Sequence, residues 1–391
     1  MALREYFEFF VTTKVMYGEN LAAEVGAEAE ALEGTKAIIV TDRGVLEAGL
    51  VEPVRKSLEE SSLELVEVYS DVPVNSEVGI CKELAEIGKA KCVDTLVSVG
   101  GGSVIDTAKG ANILLGVGGD LLEDWQGTHL VPEPLKKHIA IPTTAGTGAE
   151  VTLGAVIKNT PTGQKITFNS KFLLPDVAVL DPLLTVSMPP HLTAATGIDA
   201  LTHGVESFTS LEHSPPADAF SYYVVQTIFE NLPAAFENGN DVEVRGYMLI
   251  AANMAGTALS TVMSIGACHA MAQASGGLSP VQHGVANAII LPTVMEYNLG
   301  YCDDRFAGLA GAVGVDASGL SEAETAGKVT DRITEFIRGF GLPQTLKEAG
   351  ADASLAERMA EEAMGDGQIY GNPHEADYDE ILTLFKGLLE R

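Results

Sequence analysis

Between Arg245 and Glu296 the chain runs for fifty residues without an Asp, Glu, Lys or Arg, although 20% of its 391 residues are charged. Such a stretch is hidden from water either in a bilayer or in the protein's own core. The bilayer fits poorly. Asn253, Thr257, Ser260, Thr261, Ser264, His269, Gln273 and His283 recur too often for an apolar helix of about 20 residues that spans a membrane. The stretch is therefore expected to form the central layer of a helical domain. Two of its few polar groups are histidines that would be buried with it.

The preceding half reads differently. Residues 36–42 (KAIIVTD), 95–99 (TLVSV) and 138–142 (HIAIP) are short apolar, β-branched runs bounded by polar or Gly-rich sequence, as strands of a parallel sheet buried on both faces are. Helical patterns over 45–60 and 77–91 lie between them, so strand and helix alternate as in a doubly wound sheet. After DPLLTVSMPP at 181–190 the strand signals fade. The expected fold is an α/β domain with a parallel sheet over residues 1–187, followed by an all-α domain over 188–391. No internal repeat or long low-complexity tract is visible.

Charge narrows the partners. The chain carries 54 acidic against 24 basic side chains, a net −30, and such a surface repels nucleic acid backbones and anionic lipid. Neither nucleic acid nor a membrane surface is an expected partner. The imbalance is far beyond the magnitude of about 2 to 8 that suits a small soluble domain. It suggests a halophilic protein bathed in a saline cytoplasm, where a Debye length of about 3 Å at 1 M salt relieves the self-repulsion. Cys81, Cys92, Cys268 and Cys302 show no CxxC spacing, so neither a zinc knuckle nor a disulfide framework is expected. The opening MALREYFEFF carries Arg4, Glu5 and Glu8 where a signal peptide needs an unbroken apolar run. A cytoplasmic protein is the expectation.

Several residues could carry chemistry. Asp199 and His203 lie four apart in a helical pattern and so share a face. His269 and His283 come from the charge-free stretch, with Gly276, Gly277 and Pro280 between them to turn the chain back. A single buried histidine is commonly a satisfied core residue. Three of them with a carboxylate are more economically explained by one divalent transition metal, because an unpaired buried imidazole costs free energy. Residue types alone do not separate zinc from ferrous iron.

The segment VSVGGGSVIDTAKG (97–110) reads as strand, glycine turn and helix start, with Ser103 and Asp106 spaced as a capping box. Backbone N–H groups at such a helix start suit a pyrophosphate. The match to GxGxxG is incomplete, since Ile105 takes the third glycine position. Asp42 ends the first strand, either to accept from an adenosine ribose or simply to cap the next helix; it precedes the glycine turn, whereas the usual fingerprint has the acid about 20 residues after it. IPTTAGTGAEVT (141–152) sets Thr143, Thr144 and Thr147 directly after a strand, as phosphate or carboxamide contacts or as an ordinary polar loop. Lys165 is either a balancing charge for a pyrophosphate or a surface lysine.

Together, GGGSVIDTAK, IPTTAGTGAEVT, the DPLLTVSMPP boundary, TGIDALTH and the spacing from His269 to HGVANAIILP resemble the iron-dependent (group III) alcohol dehydrogenase family over nearly the whole chain. The resemblance implies an N-terminal dinucleotide-binding domain, a helical metal-binding and substrate domain (dehydroquinate synthase-like architecture), and an active site in the cleft between them. It places the metal ligands at Asp199, His203, His269 and His283. It places the cofactor contacts at Asp42, Asn75, Gly101, Gly102, Ser103, Thr143, Thr144, Thr147 and Lys165. An acid at position 42 resembles members that prefer NAD over NADP. The implied activity is hydride transfer between NAD(H) and a small alcohol or aldehyde, with Fe2+ (or Zn2+) as Lewis acid on the substrate oxygen, in a homodimer or larger homo-oligomer.

The chain departs from the family at Gln273, where many members have a second histidine near the substrate. It departs again at His374, where NPR is common. Glutamine cannot titrate, so a proton relay there is in doubt and substrate orientation is its remaining role. Same-fold relatives of the maleylacetate reductase or glycerol dehydrogenase type are the alternative, as is a nucleotide- and metal-binding protein without turnover.

Overall fold

The computed structural model describes residues 5–390, which fall into two compact units. One comprises Val11–Met188 and Asn240–Asn253; the other comprises residues 5–10, Pro189–Gly239 and residues 254–390.

The first unit is α/β. Its strands are β1 (Lys14–Tyr17), β2 (Lys36–Val40), β3 (Glu64–Tyr69), β4 (Thr95–Gly100), β5 (Gly127–Thr128), β6 (Lys137–Pro142), β7 (Gly154–Asn159), β8 (Gln164–Asn169) and β9 (Val177–Leu180). Six of them form one sheet in the order β1-β9-β6-β4-β2-β3, paired in parallel throughout. The three runs legible in the sequence are its adjacent central strands β2, β4 and β6. Ile38, Val40 and Leu96 pack into one apolar cluster, whereas Ala37, Ile39, Val97 and Val99 pack into another. Both faces of these strands are thus covered, which is why their sequences are apolar without alternation.

A second sheet, β5-β8-β7, is not legible in the sequence; its β7–β8 hairpin turns at Gly163, with φ +75°. The helices of this unit are α1 (Val25–Ala31), α2 (Arg43–Glu47), α3 (Glu52–Glu60), α4 (Val78–Lys91), α5 (Gly102–Gly116) and α6 (Leu121–Asp124). The single helix expected over 45–60 is two, α2 and α3, because Gly49 at φ +76° breaks the first and Pro53 fits only the opening turn of the second. The expected Ser103/Asp106 capping box does not form. Helix α5 starts before Ser103, with Gly101 as N-cap; the Ser103 hydroxyl donates to Val74 O and Asp106 accepts from Val156 N at 3.0 Å.

Helix α9 (Val242–Val262) runs through the division of the chain between the units. Its first half belongs to the α/β unit for identifiable reasons. Buried Arg245 donates from Nη2 to Met188 O at 3.0 Å, and Asn253 Nδ2 donates to Glu150 Oε1 at 2.9 Å. At Gly246 an added Cβ would sit 2.2 Å from the Tyr17 hydroxyl. These contacts hold residues 240–253 with the α/β unit.

The second unit is helical, with α7 (Pro190–Thr209), α8 (Pro215–Glu237), α10 (Ala267–Leu278), α11 (His283–Asn298), α12 (Asp303–Gly308), α13 (Ala310–Val313), α14 (Glu322–Arg338), α15 (Ala356–Gly365) and α16 (Tyr378–Glu390). Among the described residues no strand follows Leu180. Within 246–295 only Tyr247, Pro280 and Gln282 are exposed, so the charge-free stretch is core. Among the described residues no single helix is long and apolar enough to cross a membrane; α9 and α10 pass that test only jointly and are bent by 106°.

Candidate metal centre and nucleotide cradle

Helix α7 carries Asp199, His203 and Glu206 at i, i+4 and i+7, which places all three on one face, and all three are buried. Helix α10 brings His269 in its first turn and α11 opens on His283. Close approach of α11 to α7 depends on Gly284, where an added Cβ would meet Ala195 O at 2.3 Å.

One ligand atom from each of Asp199, His203 and His269 lies within 4.8 Å of the other two. The His203 and His269 rings stack at 4.3 Å, and His269 Nε2 lies 3.6 Å from Asp199 Oδ1. His283 sits at the rim, its side chain 28% exposed and its Nε2 3.5 Å from the same carboxylate oxygen. The structure thus gathers all four residues expected as ligands. Gln273, one turn beyond His269 on α10, is buried with its Oε1 lacking a protein partner.

Two further residues complete the cluster. Glu206 accepts from Cys268 N at 2.8 Å and His269 N at 3.1 Å, and lies 2.5 Å from His269 Nδ1. Asn287, one turn after His283, donates to Asp199 Oδ1 at 2.7 Å. Neither is singled out by the sequence, although the 199/203/206 and 283/287 spacings carry the signal.

The electrostatics fit a cation. Burial would raise the Asp199 carboxyl, but His283, His269 and His203 outweigh it and hold it well below the usual carboxylate range. Burial, reinforced by His269, pushes His203 down to about 3, leaving a neutral imidazole whose Nδ1 is buried without a protein partner. Burial also works to lower His269, yet hydrogen bonds with Asp199 and Glu206 push it up to about 9. Positive charge at His269 is thus favoured by the carboxylates beside it, the setting in which a cation is held. One carboxylate with imidazoles is a donor set suited to divalent iron or zinc.

The α/β unit holds a separate constellation. The topology switches between β2 and β4: beyond β2 the chain order runs to β3, and beyond β4 to β6 and β9. Open parallel sheets bind ligands outside the strand carboxyl ends at such a switch. Asp42 follows β2, Gly101 and Gly102 follow β4, and Thr143 follows β6, with Thr41 Oγ1 donating to Val99 O at 2.8 Å across the pair.

Added Cβ atoms at Gly101 and Gly102 would meet Thr144 Oγ1 at 3.2 Å and Thr147 Oγ1 at 2.9 Å, so the glycine turn and the threonine loop are in contact. Ser103 reaches the 74–75 segment through Val74 O, beside Asn75. Asp42 Oδ1 accepts from Val45 N at 2.9 Å, so the helix-capping role is realised through one of its oxygens. Lys165, on β8, acts electrostatically on Asp106 of α5. At the start of α5 the glycine turn with Ser103, Thr144 and Thr147 thus forms a cradle of bare backbone and hydroxyls, suited to a pyrophosphate.

Residues 12–182 match the model of the iron-containing alcohol dehydrogenases, and residues 193–389 match that of the C-terminal part of the Fe-containing alcohol dehydrogenase family. The chain is 37% identical over 383 residues to 1,3-propanediol dehydrogenase of Klebsiella pneumoniae, covering 97% of this chain and 98% of that protein. It is 34% identical to NAD-dependent methanol dehydrogenase of Bacillus methanolicus, covering 97% and 99%. The crystal structure of a 1,3-propanediol oxidoreductase superposes with a TM-score of 0.94 at 36% identity, covering 98% of this chain and 100% of that one. Matched along both units and carrying the buried carboxylate–imidazole cluster, the chain belongs to the iron-containing alcohol dehydrogenase family.

Proposed function

We propose that the protein interconverts a small alcohol and its aldehyde or ketone using NAD(H), with one divalent metal, Fe2+ in preference to Zn2+, held by Asp199, His203, His269 and His283. The observation that carries this is the convergence of buried His203, His269 and an ionised Asp199, with His283 at the rim 3.5 Å from the same carboxylate. A metal bound there is a Lewis acid toward an alcohol or carbonyl oxygen. The chemistry balances as aldehyde plus NADH plus a proton giving alcohol plus NAD+. Asp199 contributes the negative charge, neutral His203 offers its lone pair, and Asn287 fixes Asp199. Gln273 orients substrate by hydrogen bonding and moves no proton.

In the cradle, the N–H groups of Gly102 and Ser103 with Thr143, Thr144 and Thr147 hold the pyrophosphate and carboxamide, with Asn75 and Lys165 flanking. Asp42 has one carboxylate oxygen in the cap of α2 and offers the other to the ribose, which disfavours a 2′-phosphate and hence NADP. A reading of the glycerol dehydrogenase type is less favoured because all four ligand positions are filled, and a reading without turnover is less favoured because the similar proteins named above are dehydrogenases.

The same proposal extends to setting. A net charge of −30 supports a halophilic enzyme, and four unpaired cysteines without CxxC spacing support a reducing, cytoplasmic setting. Exposed large apolar residues recur at Tyr6, Phe7, Phe9, Phe10, Val11, Val15 and Tyr17, which supports a homo-oligomer. The test is oxidation of NADH and of NADPH at about 2 to 3 M KCl, where charge is fully screened, with a panel of short aldehydes, hydroxyaldehydes and aldehyde acids. The proposal expects NADH-selective reduction of at least one aldehyde. Cofactor binding without oxidation on any substrate refutes it.

A further inference from the structure

We propose that Glu206 is a positioning residue, fixing the tautomer and ring plane of His269 so that Nε2, and not Nδ1, meets the metal; the proposal rests on the metal reading above. Glu206 lies one turn beyond His203 on α7 and is 4% exposed. Both its oxygens are committed as acceptors to the first turn of α10. Oε1 takes the Cys268 N–H at 2.8 Å, while Oε2 takes the His269 N–H at 3.1 Å and faces His269 Nδ1 at 2.5 Å. Backbone N–H groups can only donate. With both oxygens already accepting, Nδ1 carries the hydrogen that joins it to Oε2.

The remaining ring nitrogen, Nε2, is the one that faces Asp199. With Nδ1 engaged by Glu206, Nε2 is the nitrogen left facing the Asp199 carboxylate, where a cation would sit. The surroundings leave the carboxylate little room to move. An added Cβ at Gly266 would stand 2.4 Å from Oε1; separately from that confinement, Asn372 Oδ1 caps the same helix start through Ala267 N at 3.2 Å. Outer carboxylates of this kind set both the orientation and the basicity of a ligating imidazole.

Glu206→Gln isolates the effect because it keeps the shape and loses one acceptor. Its amide NH2 must face either the Cys268 N–H, donor against donor, or His269, where donation to Nδ1 drives the hydrogen onto the ligating nitrogen. Metal-stripped wild type and variant are titrated with Zn2+ or Co2+ in competition with a chromophoric chelator, alongside Asn372→Ala, which removes a cap of α10 without touching His269. The expected result is an affinity about 10- to 100-fold weaker in Glu206→Gln. Asn372→Ala is expected to melt at lower temperature with its metal affinity unchanged.

Wild-type affinity in Glu206→Gln overturns the proposal, and so does an equal loss in Asn372→Ala. If Glu206→Gln does not fold, nitrogen-15 histidine spectra of the zinc-loaded wild type decide: a protonated Nδ1 on His269 supports the assignment, and coordination through Nδ1 overturns it. A wild type that binds no metal instead removes the metal reading itself.

Discussion

Asp42 shows how one side chain serves fold and function at once. Its Oδ1 caps α2 through Val45 N, and the proposed role of the carboxylate is to select the cofactor. Asp42→Ala should therefore have two separable effects. Loss of the cap should cost about 1 kcal/mol in denaturant melts. Removing the charge should raise the NADPH-to-NADH ratio of kcat/KM at least about tenfold, since like charges set against each other cost several kcal/mol. An unchanged ratio would limit Asp42 to capping. At the metal cluster, Asp199→Asn should abolish stoichiometric metal retention in elemental analysis.

His269 and His283 were legible because charge-free surroundings left no other polar role for them, and His203 because it lies four residues from Asp199 in a helical pattern. Glu206 was not, since a glutamate on a helix of mixed polarity reads as an ordinary surface acid until α10 is folded over it. Asn287 hid in the same way: its amide has a purpose only once Asp199 lies 2.7 Å away.

Elements were legible in proportion to their burial. Strands β2, β4 and β6 are covered on both faces and announce themselves as apolar runs. Strand β1 has Val15 and Tyr17 exposed and lies at the sheet edge, and β7–β8 alternates between buried and half-buried positions; neither pattern stands out in the sequence. The joints between elements rest on single residues.

Gly284→Ala should force α11 away from Ala195 O, costing about 1–3 kcal/mol and weakening metal binding together, because the adjacent residue is His283. Retained stability and affinity would show that α11 can shift without penalty. Asp94 joins the starts of β2 and β4 by accepting from Thr35 N at 3.0 Å, Lys36 N at 3.1 Å and Thr95 Oγ1 at 2.8 Å. Burial raises its carboxyl, but hydrogen bonds from Thr35, Thr95 and Lys36 outweigh that and push it down to about 2. A depressed carboxyl stabilises fully above its unfolded value of about 3.9 and loses that contribution as pH falls through about 2. Asp94→Asn should thus cost about 1 kcal/mol at pH 7, modest because the site is partly exposed, and the gap from wild type should narrow below pH 4. A gap independent of pH would contradict the assignment.

At the scale of the whole molecule, the proposed salt adaptation rests on self-repulsion between like charges. With a net −30, the melting temperature should climb steeply as KCl rises from about 0.1 to 1 M and the Debye length falls from about 10 to 3 Å, then flatten. A flat or falling curve in scanning fluorimetry would contradict salt adaptation. Neither the bent α9–α10 pair nor the passage of residues 240–253 into the α/β unit was legible, because both depend on partners far away in sequence, Met188 and Glu150 among them.

Metal dependence is tested most directly by stripping the protein of metal, saturating it with NADH and a reducible aldehyde, and adding Fe2+ anaerobically while NADH oxidation is followed. A single catalytic metal predicts no oxidation before the addition, a rise that breaks at one equivalent per chain, and no rise in Asp199→Asn. Oxidation at full rate by the stripped wild type, or by Asp199→Asn, would contradict it.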